Sequence, residues 1–312
     1  MVLNKIGLTG SNGMLGRHIY AALREEGAEV VSISRTHTIK NGEFYWNLAE
    51  WAPLEDLDIF FDGVQAVIHA GAMLETSDKS DMSSMFDTNV RACLNLCEWA
   101  ISRNIPIIYI SGAIVYANSY DLNQREDATL GRNMLGGFYG FSKLLAEDIF
   151  IRFSQQGLRL GIVRPSSIYG SGMGVGKMIK RFLSAAKANE TIDLIHPVDD
   201  RIDFVHAFDV SRAIIEMLKK ESWNIFNISS RIYISIRELA ETSIQLTGRG
   251  SLLIKGQLSM NYKPTIKYSL DTSLAKNCLG WSPEINIEQG MLMMLQEKNL
   301  PSSTRFKEKI DY

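Results

Sequence analysis

The chain has 312 residues, 46% of them hydrophobic and 22% charged, with a net charge of −2. That balance is of a globular protein with a sizeable core and excludes an intrinsically disordered chain. Near-neutral charge gives no electrostatic footprint for nucleic acid or an anionic membrane. No apolar run approaches the roughly 20 residues a bilayer span needs, and the expected location is the cytoplasm.

In chain order, the first segment carries a short apolar run, Lys5 to Thr9, that enters a glycine-rich turn. The turn reads Gly10-Ser11-Asn12-Gly13-Met14-Leu15-Gly16, and a helical pattern (Leu15, Ile19, Leu23) leaves it. In such a turn the first glycine permits the tight bend and the second lets backbone approach a pyrophosphate. The third allows close helix–strand packing. The helix start then offers free N–H groups and positive dipole to phosphate. The spacing is GxxGxxG rather than GxGxxG, and a purely structural turn is the alternative.

Further β-rich runs follow at 30–34, 66–69, 107–111 and 160–163, separated by helical stretches at 82–103 and 139–156. Alternation of this kind predicts a parallel sheet covered on both faces. Its carboxyl edge, where such sheets bind ligands, carries Gly10, Ser34, Ala70, Ser111 and Arg164. After residue 170 the pattern loosens. Gly170 to Gly176 reads as a flexible loop, either a lid or a bare linker. Strands are expected at 202–205 and 224–228, a helix at 209–220, and short elements at 236–247 and 270–279.

The chain has three cysteines, too few for a disulfide framework. Cys93 and Cys97 read as buried reduced thiols, and no His or Cys accompanies them at zinc spacing; no metal is expected.

Within the helix at 139–156, Tyr139 and Lys143 are four residues apart and so share a face. A neighbouring ammonium favours phenolate and is expected to lower the tyrosine pKa from about 10. A phenol tuned in that way moves protons to or from a hydroxyl or ketone. The same spacing also occurs on plain surface helices.

Together these motifs resemble the extended short-chain dehydrogenase/reductase family of nucleotide-sugar epimerases, dehydratases and ketoreductases. The markers are Thr9-Gly10-x-x-Gly13-x-x-Gly16, Val67-Ile68-His69-Ala70-Gly71-Ala72, Asn89-Val90, Tyr139-x-x-x-Lys143 and Arg164-Pro165-Ser166-Ser167-Ile168-Tyr169-Gly170. Downstream come Arg201-x-Asp203-Phe204-Val205-His206-x-x-Asp209-Val210 and Leu279-Gly280-Trp281-x-Pro283. The resemblance implies an α/β Rossmann-type doubly wound parallel sheet with a smaller C-terminal substrate domain. The dinucleotide domain would span 1–170 with 202–228 returning to it. The substrate domain would take 171–201 and 229–312.

By the same resemblance Tyr139 is the general acid/base and Lys143 supports it. The cofactor would be lined by Gly10 to Gly16, by Asn47 and Leu48, by Ala70, Gly71 and Ala72, and by Asn89, Ser166, Ser167 and Ile168. Arg201 matches an arginine that contacts a sugar-nucleotide diphosphate; a surface salt bridge is the alternative. His69 and His206 are read as structural. NAD-binding relatives close the second strand with an acid; here Ser34-Arg35 stands there. A serine and an arginine accept a 2′-phosphate that a carboxylate repels, so NADP(H) is expected over NAD(H). The usual Ser or Thr of the active site is replaced by Gly112, with Ser111 one step earlier as a candidate for its role. Where dehydratases carry an acid pair, this chain has Ala113-Ile114, so dehydration is not expected.

The leading expectation is an NADP(H)-dependent ketoreductase of a nucleotide-activated 4-keto-6-deoxy sugar. A nucleotide-sugar 4-epimerase with tightly held cofactor is the alternative, and a cofactor-sensing protein with impaired catalysis the third. A homodimer is expected by resemblance, through helices at 85–103 and 139–156, where Leu94, Cys97, Leu144 and Ile151 serve that interface or the core.

Overall fold

A computed structural model describes residues 1–34, 43–74, 81–132 and 134–296. In order these form β1 (Lys5–Thr9), α1 (Met14–Glu25), β2 (Glu29–Ser34), β3 (Glu43–Tyr45), α2 (Leu54–Phe60), β4 (Ala66–His69), α3 (Met82–Phe86) and, after a π-helical turn at Asp87–Arg91, α4 (Ala92–Arg103). There follow β5 (Ile107–Ile110), α5 (Gly137–Ser154), β6 (Leu160–Pro165), β7 (Ser167–Tyr169), α6 (Met178–Lys187), β8 (Thr191–Ile195), β9 (Arg201–His206), α7 (Ala207–Lys219) and β10 (Ile225–Ile228). The chain closes with β11 (Tyr233–Ser235), α8 (Ile236–Thr247), β12 (Ser251–Lys255), β13 (Ile266–Lys267), α9 (Ser273–Leu279) and α10 (Ile287–Leu295).

Seven strands form one sheet in the order β10-β6-β5-β4-β1-β2-β3, every neighbouring pair parallel. This is a Rossmann-type doubly wound sheet. The order reverses beside β1, so its carboxyl end lies at the topological switch point where such sheets take ligands. Side-chain alternation divides each strand between two cores. On β5, Ile108 and Ile110 join Ile6, Leu8 and Val210, whereas Ile107 and Tyr109 join Val67, Cys93, Cys97 and Phe150. Helices thus cover both faces, and β4, β5 and β6 are buried throughout. Cys97 is wholly inside this second core.

A smaller C-terminal lobe packs α6, α8, α10 and the paired β8 and β12 around Phe182, Leu183, Leu239 and Met291. A second sheet, β11-β9-β13 with β7 against β9, connects the lobe to the main sheet. The helix expected at 82–103 runs on as helix throughout, but its winding changes at the π turn between α3 and α4. The π turn in its middle carries Asn89, a placement common at functional sites. Among the described residues no helix is long and apolar enough to cross a membrane.

Candidate active site

The glycine turn is built by close contact. Gly10 has φ +71°, the left-handed region that favours glycine, and a Cβ there would lie 2.6 Å from Gly71 N. A Cβ on Gly16 would lie 2.0 Å from the Gly10 carbonyl oxygen, so α1 seats directly on the turn. Gly10 accepts from Gly13 N–H at 2.9 Å. The first i→i−4 bond of α1 is Arg17 N–H to Gly13 O at 3.0 Å, which leaves the amides of Met14, Leu15 and Gly16 at the positions that need an outside acceptor. Gly13 offers no side-chain cap, and Asn12 and Gly13 are exposed. An anion fits that place, and the cradle fits the diphosphate of a dinucleotide.

Around it, Leu48 packs on Gly71 so tightly that a Cβ there would lie 2.4 Å from Leu48 Cδ1. Gly71 N–H donates to Thr9 Oγ1, and Thr9 Oγ1 meets His69 Nδ1 at 2.7 Å. Ser11 is buried, and Ala70 and Ala72 are half-buried at the rim. Asn12 Nδ2 donates to Ser34 Oγ at 2.9 Å, so β2 closes on a neutral hydroxyl. Arg35 lies outside the described residues. Asn47 is occupied locally, donating to Glu50 Oε1 at 2.8 Å.

Tyr139 sits in the first turn of α5 and is partly exposed; Lys143, one turn on, is only 4% exposed. The expected lowering of the tyrosine pKa is not found. Burial pushes Tyr139 up to about 12. The reason is geometric. The Lys143 ammonium turns inward, donating to Ile110 O at 2.7 Å and lying 4.6 Å above the Tyr109 ring. Burial in turn lowers Lys143 to about 8, against the pull of Cys93 and Glu147. Tyr139 is therefore protonated at physiological pH, as an ordinary phenol is.

Ser111 N–H donates to Val163 O at 2.8 Å, and its buried hydroxyl meets no protein partner among the described residues. Gly112 is extended and open, with nothing nearer than 3.8 Å to an added Cβ. Ile114 fills a notch on α5: a Cβ on Gly136 or Gly140, either side of Tyr139, would lie 2.7 or 3.0 Å from its Cγ1. The wall beside Tyr139 is thus apolar.

Several candidates are held inside the fold. Asn89 brackets Met73, accepting from its N–H at 2.7 Å and donating to its carbonyl at 2.9 Å, and donates to Ser142 Oγ. Ser142 in turn donates to Tyr139 O, so the π turn braces the catalytic helix. Ser166 donates to buried Asp203, while Ser167 and Ile168 remain half-buried on β7. Arg201 is bidentate to Glu238 at 2.8 and 3.0 Å and donates to Tyr233 O. Glu238 also completes the capping box of α8 with Ser235, so an anion at Arg201 competes with a structural carboxylate. Arg164, at the carboxyl edge by sequence, is 1% exposed and paired with Glu147. His69 and His206 are buried, and burial lowers both to about 3.

Two contributors escaped the sequence reading. Glu147 follows Lys143 by another four residues on the same face, a signal present but unused. Tyr109 announces itself only once β5 is laid under α5.

The family model for the NAD dependent epimerase/dehydratase family matches residues 6–229. A dTDP-4-dehydro-6-deoxy-D-allose reductase from a Streptomyces species is 27% identical over 266 residues, covering 78% of this chain and 81% of the relative. The UDP-N-acetylglucosamine 4-epimerase from Bacillus cereus superimposes with TM-score 0.80 at 26% identity, over 96% of this chain and 100% of that one. MoeE5 in complex with UDP-glucuronic acid and NAD gives TM-score 0.79 at 23% identity, over 94% and 98%. With the glycine cradle, the seven-stranded parallel sheet and the Tyr139–Lys143 pair in place, the chain belongs to the NAD dependent epimerase/dehydratase family, enzymes of the extended short-chain dehydrogenase/reductase type.

Proposed function

We propose that this enzyme is an NADP(H)-dependent ketoreductase of a nucleotide-activated 4-keto-6-deoxy sugar. One observation carries the reading: Tyr139 stands beside an apolar Ala113-Ile114 wall, with no carboxylate where elimination would need one. The similarity to a 4-dehydro-6-deoxy sugar reductase supports it. The seven-stranded unit (1–170 with 202–228) would hold the cofactor and the remainder (171–201 and 229–312) the substrate.

When bound, the cofactor supplies a hydride to the ketone carbon. Tyr139 donates its proton to the ketone oxygen as charge develops there. Lys143 would support the phenolate that the transfer leaves only after its ammonium, held by Ile110 O in the structure, turns toward Tyr139. The amides of Met14, Leu15 and Gly16 hold the diphosphate of the cofactor. Ser111 is a candidate donor to the ketone oxygen. Arg201, released from Glu238, would hold the substrate diphosphate. Ser34 and Arg35 would receive the 2′-phosphate of NADP(H), because no carboxylate closes β2 to repel it.

Tyr139→Phe should abolish NADPH consumption with a 4-keto sugar nucleotide while leaving NADPH binding within about twofold; retained turnover refutes the assignment. Arg35→Ala should weaken NADPH selectively, and an unchanged preference removes the cofactor argument.

A second reading, a nucleotide-sugar 4-epimerase with retained NAD(P), is favoured by the near end-to-end likeness to the Bacillus cereus epimerase. Mass spectrometry of nucleotide released from dialysed, denatured protein separates the two. Little bound cofactor supports the reductase, and near-stoichiometric NAD supports the epimerase. A homodimer through the exposed sides of α4 and α5 is proposed with either.

A further inference from the structure

Among the described residues the buried ammonium of Lys143 has no carboxylate of its own. The acid one turn along α5, Glu147, is taken by Arg164 at 2.7 Å. What meets the charge instead is the Ile110 carbonyl at 2.7 Å and, 4.6 Å away, the face of the Tyr109 ring. That ring has two further aromatic neighbours, which lie 6.3 Å from each other. Phe150 packs on it with centroids 4.6 Å apart, and His69 stacks at 5.9 Å and 20°. His69 is anchored to the glycine turn. Thr9 Oγ1 accepts from Gly71 N–H and meets His69 Nδ1 at 2.7 Å. Tyr109 is 1% exposed, and its hydroxyl, like His69 Nε2, meets no protein partner among the described residues. A hydroxyl with no bond to make is not why this side chain stands here; the ring face is.

We propose that the Tyr109 ring is the seat of the Lys143 ammonium, which makes Tyr109 a positioning residue for proton transfer at Tyr139. The proposal rests on the Tyr139–Lys143 assignment above. A cation over a desolvated aromatic face is held by the ring quadrupole. The titratable groups that act on this ammonium are Cys93 from α4, His69 from β4 and Glu147 from its own helix, while Tyr139 acts on Tyr109.

The test replaces Tyr109 while reading the charge on Lys143 directly. In protein carrying ¹³Cε-labelled lysine, the Lys143 signal is identified by its loss in Lys143→Arg and titrated in full-length Tyr109→Phe and Tyr109→Leu. Tyr109→Phe keeps the face and should titrate with the wild type. Tyr109→Leu should lower the Lys143 pKa by about one unit, and the alkaline limb of kcat should fall with it while KM holds. Phenylalanines with one to three ring fluorines at position 109 keep the shape and weaken the face, so the pKa should fall stepwise. That series decides the matter if Tyr109→Leu does not fold. An unmoved pKa across Leu and the fluorinated series overturns the proposal, as does Tyr109→Phe behaving like Tyr109→Leu. The titration needs no substrate. A moved pKa in an enzyme inactive on every 4-keto sugar nucleotide would therefore refute the functional reading and leave the ring seat standing.

Discussion

Replacing Arg164 by methionine isolates the interaction that fixes the catalytic helix to the sheet. Arg164 of β6 and Glu147 of α5 are 1% and 0% exposed. Three N–H···O contacts of 2.7, 3.1 and 3.2 Å join them, and Arg164 also donates to Glu126 O and Tyr116 OH. Arg164→Met leaves the Glu147 carboxylate buried and uncompensated, which costs about 3–5 kcal/mol. Unfolding entropy near roughly 2.1 cal/mol/K per residue gives about 0.65 kcal/mol/K for this chain. The melting temperature should therefore fall by about 5–8 °C. Because Tyr139 and Lys143 lie on the two preceding turns of α5, kcat should drop more than KM rises. Glu147→Met combined with Arg164→Met removes the stranded charge and should recover most of the loss. Urea and thermal melts of the two single variants and the double variant measure this. A double variant no more stable than Arg164→Met, or a single loss under about 1 kcal/mol, refutes the account.

Gly16→Ala places a Cβ 2.0 Å from Gly10 O; the turn must move, and NADPH affinity should fall at least about tenfold by fluorescence titration. Unchanged affinity would mean that the turn does not hold the cofactor. Gly112→Ser finds open space and extended backbone, so stability should hold or rise by about 0.4–1 kcal/mol. Its hydroxyl should raise kcat by about tenfold or more, and a folded variant with unchanged kcat removes Gly112 from the site. His69 and His206 titrate near 6.5 when unfolded and about 3 when folded. Below pH 6.5 the unfolded state therefore binds more protons, and stability falls as pH drops, by roughly 2.7 kcal/mol per unit for the two together. His206→Asn should halve that slope in urea melts between pH 6.5 and 5, and an undiminished slope would refute its burial as a neutral imidazole.

The glycine turn, the parallel sheet and the Tyr139–Lys143 helix were legible in the amino-acid order because each is a local pattern. Strand and helix periods recur every two and 3.6 residues, and Gly10 and Gly16 are dictated by contacts within one strand–turn–helix unit. Ala113-Ile114 likewise showed in the sequence that no acid pair stands there. The short pieces of the C-terminal lobe were less legible, since β7, β11 and β13 exist only through pairing with β9. The charge states were decided by tertiary structure alone. Spacing put Lys143 beside Tyr139, but it did not show that the ammonium would turn to Ile110 O and the Tyr109 face, or that burial would raise the Tyr139 pKa rather than the lysine lower it. Nor did it pair Arg201 with Glu238 or Arg164 with Glu147. Spacing along a helix determines which side chains share a face. Which partner a charge finds, and how much water it loses, depends on what other segments bring within a few ångströms, because Coulomb and desolvation energies are set by distance and burial.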